Sequence, residues 1–323
     1  MKILVADKLD ASCVKALEEI GEVAVKVGLK PEEMAGILSE FTVLIVRSTK
    51  VPRATIEAGS KGSLKLIIRA GIGYDTIDID AATEFGVFVS NCPGTNSHAV
   101  VELVIGHLIN CDRGIVQSTV KLQKGEWCKT QFQTGLGLWG RTLGIVGTGF
   151  IGRLVAKAAI GLGMKIIGFD VYVSKEVMES AGIEKVETLD ELLARSDAIT
   201  LHTVLTKETF HMFNKELFAK MKKGAILINA SRGEVIDSEA LVEASKTNGI
   251  KAALDVYEDE PEPQDKIFKQ VELANSLISA TPHIGASTIQ ASEAVGEYAV
   301  EIVREFAKTG KPIPMSVVNK KLL

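Results

Sequence analysis

The sequence predicts an α/β protein made of two doubly wound parallel-sheet domains. Three observations predict it. Short β-branched runs alternate with helix-length segments along the chain, a glycine-rich turn sits between a strand and an amphipathic helix near the middle, and the length of 323 residues is enough for two domains of about 100 to 200 residues each. In the first part, Ile3 to Ala6, Val43 to Val46 and Leu66 to Ile68 read as strands separated by helical stretches. Alternation of this kind implies a parallel sheet covered by helices, because each parallel crossover needs a connection long enough to return along the sheet.

From Ser97 the apolar positions Val101, Val104, Ile105 and Leu108 recur at helical spacing, with Ser97 suited to cap the helix start. This helix is expected to leave the first domain. A second alternating series begins at Thr142 and continues through strands near Ile166 to Phe169, Ala198 to Leu201, Ala225 to Ile228, Ala252 to Val256 and Leu277 to Ser279. Thr188, followed three places later by Glu191, is a capping-box signature. A last helical run, about Ser287 to Ala307, is expected to cross back onto the first domain. The domains are then discontinuous, with residues 1–97 and 288–323 forming one and 98–287 the other.

Composition narrows the function classes. Hydrophobic residues at 46% and charged residues at 24% supply real cores, and a net charge of -4 without clustered Lys and Arg offers no footprint for nucleic acid. No apolar run reaches the roughly 18 residues of a membrane helix. The opening apolar run is too short for a signal peptide, is interrupted at Asp7, and reads as a first strand. Neither the four cysteines nor the five histidines fall at metal-ligand or redox spacing, so no metal is expected and a reducing cytoplasm is the simplest location. A small-molecule partner remains.

Gly147-Thr148-Gly149-Phe150-Ile151-Gly152 is a G-x-G-x-x-G. Alone it is a weak signal, but the strand Leu143 to Val146 leads in and the following helix carries an apolar stripe of Ile151, Leu154, Val155, Ala158, Ala159 and Leu162. Gly147 allows the tight turn, Gly149 lets the backbone approach a pyrophosphate, and Gly152 lets the helix pack on the sheet, as in a Rossmann domain. The helix N-terminus offers N–H groups and a positive dipole end to phosphates. Asp170 follows the next strand, where an acid accepts hydrogen bonds from the adenosine ribose; its charge repels a 2′-phosphate, which favours NAD over NADP.

Three polar residues follow strands of this second series, at the edge where open α/β sheets bind ligands. Arg232 lies in Asn229-Ala230-Ser231-Arg232-Gly233, Glu260 just past Leu254-Asp255-Val256, and His283 after Thr281-Pro282. Oxidation of a hydroxyl needs a base near neutral pKa, which suits His283; Glu260 can fix its tautomer and raise its pKa, and Arg232 can grip a substrate carboxylate with two parallel hydrogen bonds. Spacing alone leaves plainer roles open: a surface ion pair for Arg232, a solvated acidic turn for Glu260, a helix-capping loop residue for His283.

These segments, together with Arg69 to Asp75, Asn91 to Glu102, Asn229 to Asp237, Leu254 to Pro261 and Thr281 to Thr288, resemble the D-isomer-specific 2-hydroxyacid dehydrogenase family nearly end to end. The resemblance implies an NAD-dependent oxidoreductase acting on a small D-2-hydroxy acid, with a catalytic set of Arg232, Glu260 and His283 in a cleft between two Rossmann-like domains. It further implies a flavodoxin-like substrate-binding domain (1–97 and 288–323), an NAD-binding domain (98–287) and a homodimer joined through the NAD-binding domains. Its cofactor positions map onto Gly147, Gly149, Phe150, Ile151, Gly152, Asp170, Thr203, Ala230, Ser231, Asp255 and Gly285, besides Arg232 and His283. Backbone N–H groups of the loop with Ala70, Gly71 and Gly73 are implied to meet the substrate carboxylate, with Asn96 also on the substrate side.

Within the family the pattern is most similar to the phosphoglycerate dehydrogenase branch, notably in Val46 to Val51 and the ending Val317-Val318-Asn319. Arg47, Ser48 and Lys50 then become phosphate-site candidates, against the plainer reading of a solvated basic turn. Because the chain stops soon after its last helix, serine feedback through a C-terminal regulatory domain is not expected. The Glu before Pro261 departs from the formate dehydrogenase branch. Two rivals stay open: a glyoxylate or hydroxypyruvate reductase, and an NAD-responsive corepressor-like binding protein. The stretch Gly125 to Thr130 reads either as a dimer contact or as an exposed connector.

Overall fold

In the computed structural model, which describes residues 1–261, 267–275 and 277–323, the chain divides into a unit of Met1–Asn96 with Ser287–Leu323 and a unit of Ser97–Ala286. The first unit carries strands β1 (Lys2–Val5), β2 (Glu22–Val25), β3 (Val43–Val46), β4 (Leu66–Arg69) and β5 (Phe88–Asn91). They form one parallel sheet in the order β2-β1-β3-β4-β5. Because successive side chains point to opposite faces, Ile3, Val5, Val43 and Ile45 enter one core and Leu4, Leu44 and Val46 the other. The first of these cores is closed by Val295, Ala299, Ile302 and Val303 of the helix Ile289–Thr309, so the C-terminal helix packs on the N-terminal sheet.

The second unit carries β6 (Thr142–Val146), β7 (Lys165–Phe169), β8 (Glu184–Lys185), β9 (Ala198–Leu201), β10 (Ile226–Asn229), β11 (Lys251–Leu254) and β12 (Ile278–Ala280). The order is β12-β11-β10-β9-β6-β7-β8 and the registered pairs are parallel. β9 and β10 are buried along their whole length, the pattern of strands covered on both faces. The helices Ser97–Arg113 and Phe150–Gly161 close one face through Val104, Leu108, Val155 and Ala159; Phe213, Phe218 and Leu241 close the other. In both sheets the chain reverses direction of travel at one point, between β1 and β3 and between β6 and β9. Loops at such a switch point diverge and leave a crevice beyond the strand ends.

Several expectations shift. The sequence pattern does not reveal β2, β5 or β8: β2 is a half-exposed edge strand beginning with Glu22, β5 carries Ser90 and Asn91, and β8 is only Glu184–Lys185 at the other sheet's edge. Ser97 does not cap its helix. It is already the first helical residue, delivered there by the turn after Cys92, and its buried hydroxyl has no partner among the described residues. The last helix starts later than Ser287, with Thr288 as cap accepting from Ala291 N–H at 3.1 Å. Thr188 caps as its signature implied, accepting from Glu191 N–H at 3.1 Å. Among the described residues no helix is long and apolar enough to cross a membrane, and no group of three His, Cys, Asp or Glu side chains can hold a metal.

Candidate active site

The glycine loop follows β6 at the switch point of the second sheet. Gly147 takes φ +89, and a Cβ there would meet the carbonyl of His202 at 2.7 Å, so the turn lies directly on the end of β9. A Cβ at Gly152 would collide with the Gly147 carbonyl oxygen, which keeps the helix close to the turn. Gly149 caps the helix Phe150–Gly161 without a side-chain bond, and no atom lies within 4 Å of its missing Cβ. The helix N-terminus is therefore left open to an anion. Phe150 is exposed, and Ile151 packs on the core beneath.

Asp170 does more locally than its position after β7 suggested. One carboxylate oxygen accepts from Thr148 N–H at 2.8 Å and the other from Tyr172 and Val173 N–H at 2.8 and 3.1 Å. It thereby ties the glycine loop to its own turn. Thr203 follows β9, and its buried hydroxyl has no partner among the described residues. Ala230 packs against the core, while Ser231 is held by Asn229, whose Oδ1 accepts from Ser231 N–H and Oγ–H at 3.0 and 2.8 Å. Asn229 also donates to the Arg232 carbonyl at 2.8 Å, so a fully buried amide shapes the turn that presents Arg232. The Arg232 guanidinium donates to the Ser231 carbonyl at 2.7 Å.

Gly233 brings the Arg232 and Glu260 loops together. A Cβ at this position would collide with the backbone of Tyr257 and Glu258, so the two loops touch main chain to main chain. Glu260 accepts from Tyr257 N–H at 3.1 Å through one oxygen, and its other oxygen lies 2.6 Å from His283 Nδ1. A carboxylate only accepts, so Nδ1 carries the hydrogen and Nε2 is left for chemistry. His283 itself has φ 51, a left-handed conformation that is costly for a residue with a Cβ and persists only when its surroundings dictate it. They do. Asp255, 1% exposed, accepts from Ile284 N–H at 2.8 Å, Gly285 N–H at 2.7 Å and the Thr281 hydroxyl at 2.7 Å. The Glu260 hydrogen bond raises the His283 pKa above its ordinary value, against an opposing effect of burial.

In the first unit, the loop after β3 is organised by a residue the sequence reading passed over. Asp7, just beyond β1, accepts from the N–H groups of Arg47, Ser48 and Thr49 at 2.6, 2.9 and 3.0 Å and from the Thr49 hydroxyl at 3.0 Å. This carboxylate bridges the switch point of the first sheet. Lys50 and Ser48 are exposed and Arg47 is half-buried. The loop after β4 departs in part from expectation. Ala70 and Gly71 N–H are bonded to Val46 and Arg69 carbonyls at 2.7 and 2.8 Å, because the sheet ladder and a tight turn claim them. Ile72 and Gly73 N–H make no bond among the described residues. Gly71 is required by conformation, since its φ of +149 is one that residues with a Cβ rarely adopt. Asn96 is buried, its carbonyl oxygen without a partner among the described residues.

Asp7 in the first unit, and Asn229 and Gly233 in the second, shape the loops that carry candidate residues, and sequence reasoning missed all three. An acid directly after the first strand was a usable signal for Asp7; the contacts of Asn229 and Gly233 have none in one dimension.

Comparison with known proteins agrees with this geometry. Residues 105–285 match the family model described as D-isomer specific 2-hydroxyacid dehydrogenase, NAD binding domain. The chain is 46% identical over 307 residues to a D-3-phosphoglycerate dehydrogenase of Methanocaldococcus jannaschii, covering 94% of this chain but 57% of that protein. It is 42% identical over 310 residues to a hydroxypyruvate reductase of Thermotoga maritima, covering 95% of this chain and 97% of that one. The chain thus spans little more than half the length of the first of these relatives and nearly all of the second. Among solved structures, an NAD+-bound 3-phosphoglycerate dehydrogenase of Entamoeba histolytica superposes with a TM-score of 0.80 at 32% identity, over 99% of both chains.

Two outcomes follow from the site alone. Glu260→Gln should lower the His283 pKa, read from the imidazole C–H signals by NMR. Because the native pKa is raised, the pair stabilises the fold fully below the unfolded value of about 6.5 and loses that contribution as pH rises through the folded value. The stability gap between wild type and Glu260→Gln should therefore be wider near about pH 6 than near about pH 9; an equal gap at both would refute the pairing. Gly233→Ala should destabilise by about 1–3 kcal/mol in urea unfolding, since the added methyl must push two backbones apart.

Proposed function

The chain belongs to the D-isomer-specific 2-hydroxyacid dehydrogenase family, and from that premise we propose that it interconverts a small D-2-hydroxy acid and its 2-keto acid with NAD, the pair being 3-phosphoglycerate and 3-phosphohydroxypyruvate. The observation that carries the chemistry is the His283–Glu260 contact of 2.6 Å on the loop edge that also bears Arg232 and the glycine turn. NAD, when bound, supplies the hydride acceptor at its nicotinamide ring. The open helix N-terminus at Gly149, the orphaned Thr203 hydroxyl and the Asp170 carboxylate fit a dinucleotide, with Ile151, Ala230, Ser231, Asp255 and Gly285 shaping the surrounding wall.

In oxidation, His283 Nε2 takes the C2 hydroxyl proton while Glu260 stabilises the imidazolium that results; in reduction the same imidazolium returns the proton to the C2 oxygen. Arg232 holds the substrate carboxylate and polarises the C2 oxygen. We assign residues 1–97 and 288–323 to substrate binding, with Ile72 and Gly73 N–H donating to the substrate carboxylate and Asn96 beside them. The Asp7 carboxylate already occupies the N–H groups of residues 47–49. Recognition of a substrate phosphate is therefore left to the side chains of Arg47, Ser48 and Lys50.

A hydroxypyruvate reductase is the second reading, favoured by the full-length match to the Thermotoga maritima protein. On the second unit Trp127, Leu136 and Trp139 are each at least 78% exposed. Large apolar side chains grouped on one connector mark a contact surface, which supports a homodimer through the NAD-binding domains. All four cysteines are free thiols, which suits the cytoplasm.

The deciding experiment is steady-state NAD reduction on 3-phosphoglycerate beside NADH oxidation on 3-phosphohydroxypyruvate, hydroxypyruvate and glyoxylate. Strong preference for the phosphorylated pair is expected; preference for hydroxypyruvate would install the second reading and return Arg47 and Lys50 to a solvated turn. His283→Ala should cut turnover at least about a hundredfold on whichever substrate is used, and near wild-type turnover would remove His283 from the mechanism. Light scattering should give twice the chain mass for the wild type and less for Trp139→Glu; a wild-type monomer would sink the dimer.

A further inference from the structure

A second histidine stands behind the catalytic one. His107 projects from the helix Ser97–Arg113 and is buried, with Nε2 3.1 Å from the Thr281 hydroxyl oxygen. The direction of that bond is fixed by what Thr281 does next. Its hydroxyl lies 2.7 Å from Asp255 Oδ1, a carboxylate oxygen that only accepts, so the single hydroxyl hydrogen belongs to Asp255. The Thr281 oxygen is then an acceptor toward His107, so His107 carries a hydrogen on Nε2. Burial lowers the His107 pKa, with Asp255 acting in the opposite sense, in keeping with a neutral ring.

The chain of donors continues without a gap. His107 Nε2–H donates to Thr281, Thr281 donates to Asp255, and Asp255 receives Ile284 and Gly285 N–H. His283 lies between these anchor points, at a φ of 51 that the flanking bonds must hold. One turn further along the same helix, Asn110 Nδ2 donates to the Ser279 hydroxyl at 3.0 Å, so residues three apart on one helix face grip the strand and the turn that follow each other.

We infer that His107 is a positioning residue: through Thr281 and Asp255 it sets the turn that carries His283. Without its N–H, the Thr281 oxygen is a buried acceptor with no strong donor, the hydroxyl is free to rotate away from Asp255, and the two N–H groups lose a fixed partner. A leucine fills the same space but cannot donate; a glutamine can. The inference rests on His283 as the acid/base, so one readout is chosen that needs no turnover.

The experiment compares the full-length wild type with His107→Leu, His107→Gln and Thr281→Val. Hydrogen exchange of Ile284 and Gly285 N–H, followed by NMR, should accelerate about three- to tenfold in His107→Leu, the factor for one lost neutral hydrogen bond. It should return to within about twofold of wild type in His107→Gln. In parallel kcat should fall by a similar factor in the leucine variant with KM for the 2-keto acid little changed, and the double variant with Thr281→Val should add little to either single one. If glutamine behaves like leucine, or if the melting temperature falls while exchange at 284 and 285 stays at the wild-type rate, His107 is only a packing residue. Should the wild type turn over none of the 2-hydroxy acids, the reaction assigned above fails, and the exchange rates alone decide whether His107 governs the turn.

Discussion

A buried carboxylate must have its hydrogen-bonding capacity met, because leaving it unpaired away from water is among the most expensive states a side chain can adopt. Asp255, at 1% exposure, meets that demand with the Thr281 hydroxyl and the N–H groups of Ile284 and Gly285. The rest of the site depends on this arrangement. It forces the chain after β12 into a tight turn, places His283 in the left-handed region, and directs its ring to Glu260. Glu260 is in turn located by Tyr257 N–H, whose backbone touches Gly233 and so reaches Arg232. The three chemical groups are held by one connected set of backbone contacts.

The same device recurs at the ends of other strands. Asp7 after β1 gathers three N–H groups of the loop after β3, and Asp170 after β7 gathers N–H groups from the glycine loop and its own turn. Within each parallel sheet the loops after successive strands leave one edge, where N–H groups without a ladder partner collect at the strand ends. A carboxylate there satisfies several donors at once and fixes the loop before any ligand arrives. Preorganisation of this kind lowers the ordering cost of binding. It also leaves the N–H groups of residues 47–49 occupied and the helix terminus at Gly149 open.

Charge tuning separates the histidines. Burial lowers the pKa of His107 and drives His202 down to about 4, and both rings make side-chain hydrogen bonds within the fold. His283 alone among these three is raised, by the carboxylate it touches. A histidine whose charged form is favoured by a paired carboxylate is thereby set apart from two whose charged form burial disfavours.

Periodicity and glycine spacing were enough to read the two sheets, the dinucleotide loop and the helix that returns to the first unit, since these are set by local pattern: β-branched runs, a 3.6-residue stripe, and a turn only glycine permits at Gly147. Arg232, Glu260 and His283 were legible as polar residues after strands, although spacing could not distinguish a catalytic set from three ordinary loop residues. What only the tertiary structure decided was which donor meets which acceptor. β2 is an edge strand whose pairing, and not its composition, makes it a strand; Ser97 looked like a cap until the preceding turn carried it into the helix; Ala70 and Gly71 appeared available until their N–H groups were claimed by Val46 and Arg69. Contacts such as Asp7 with residues 47–49, Gly233 with Tyr257, and His107 with Thr281 join positions 24 to 174 residues apart. No local pattern records them, because hydrogen-bond capacity is assigned only once the chain has brought its partners together.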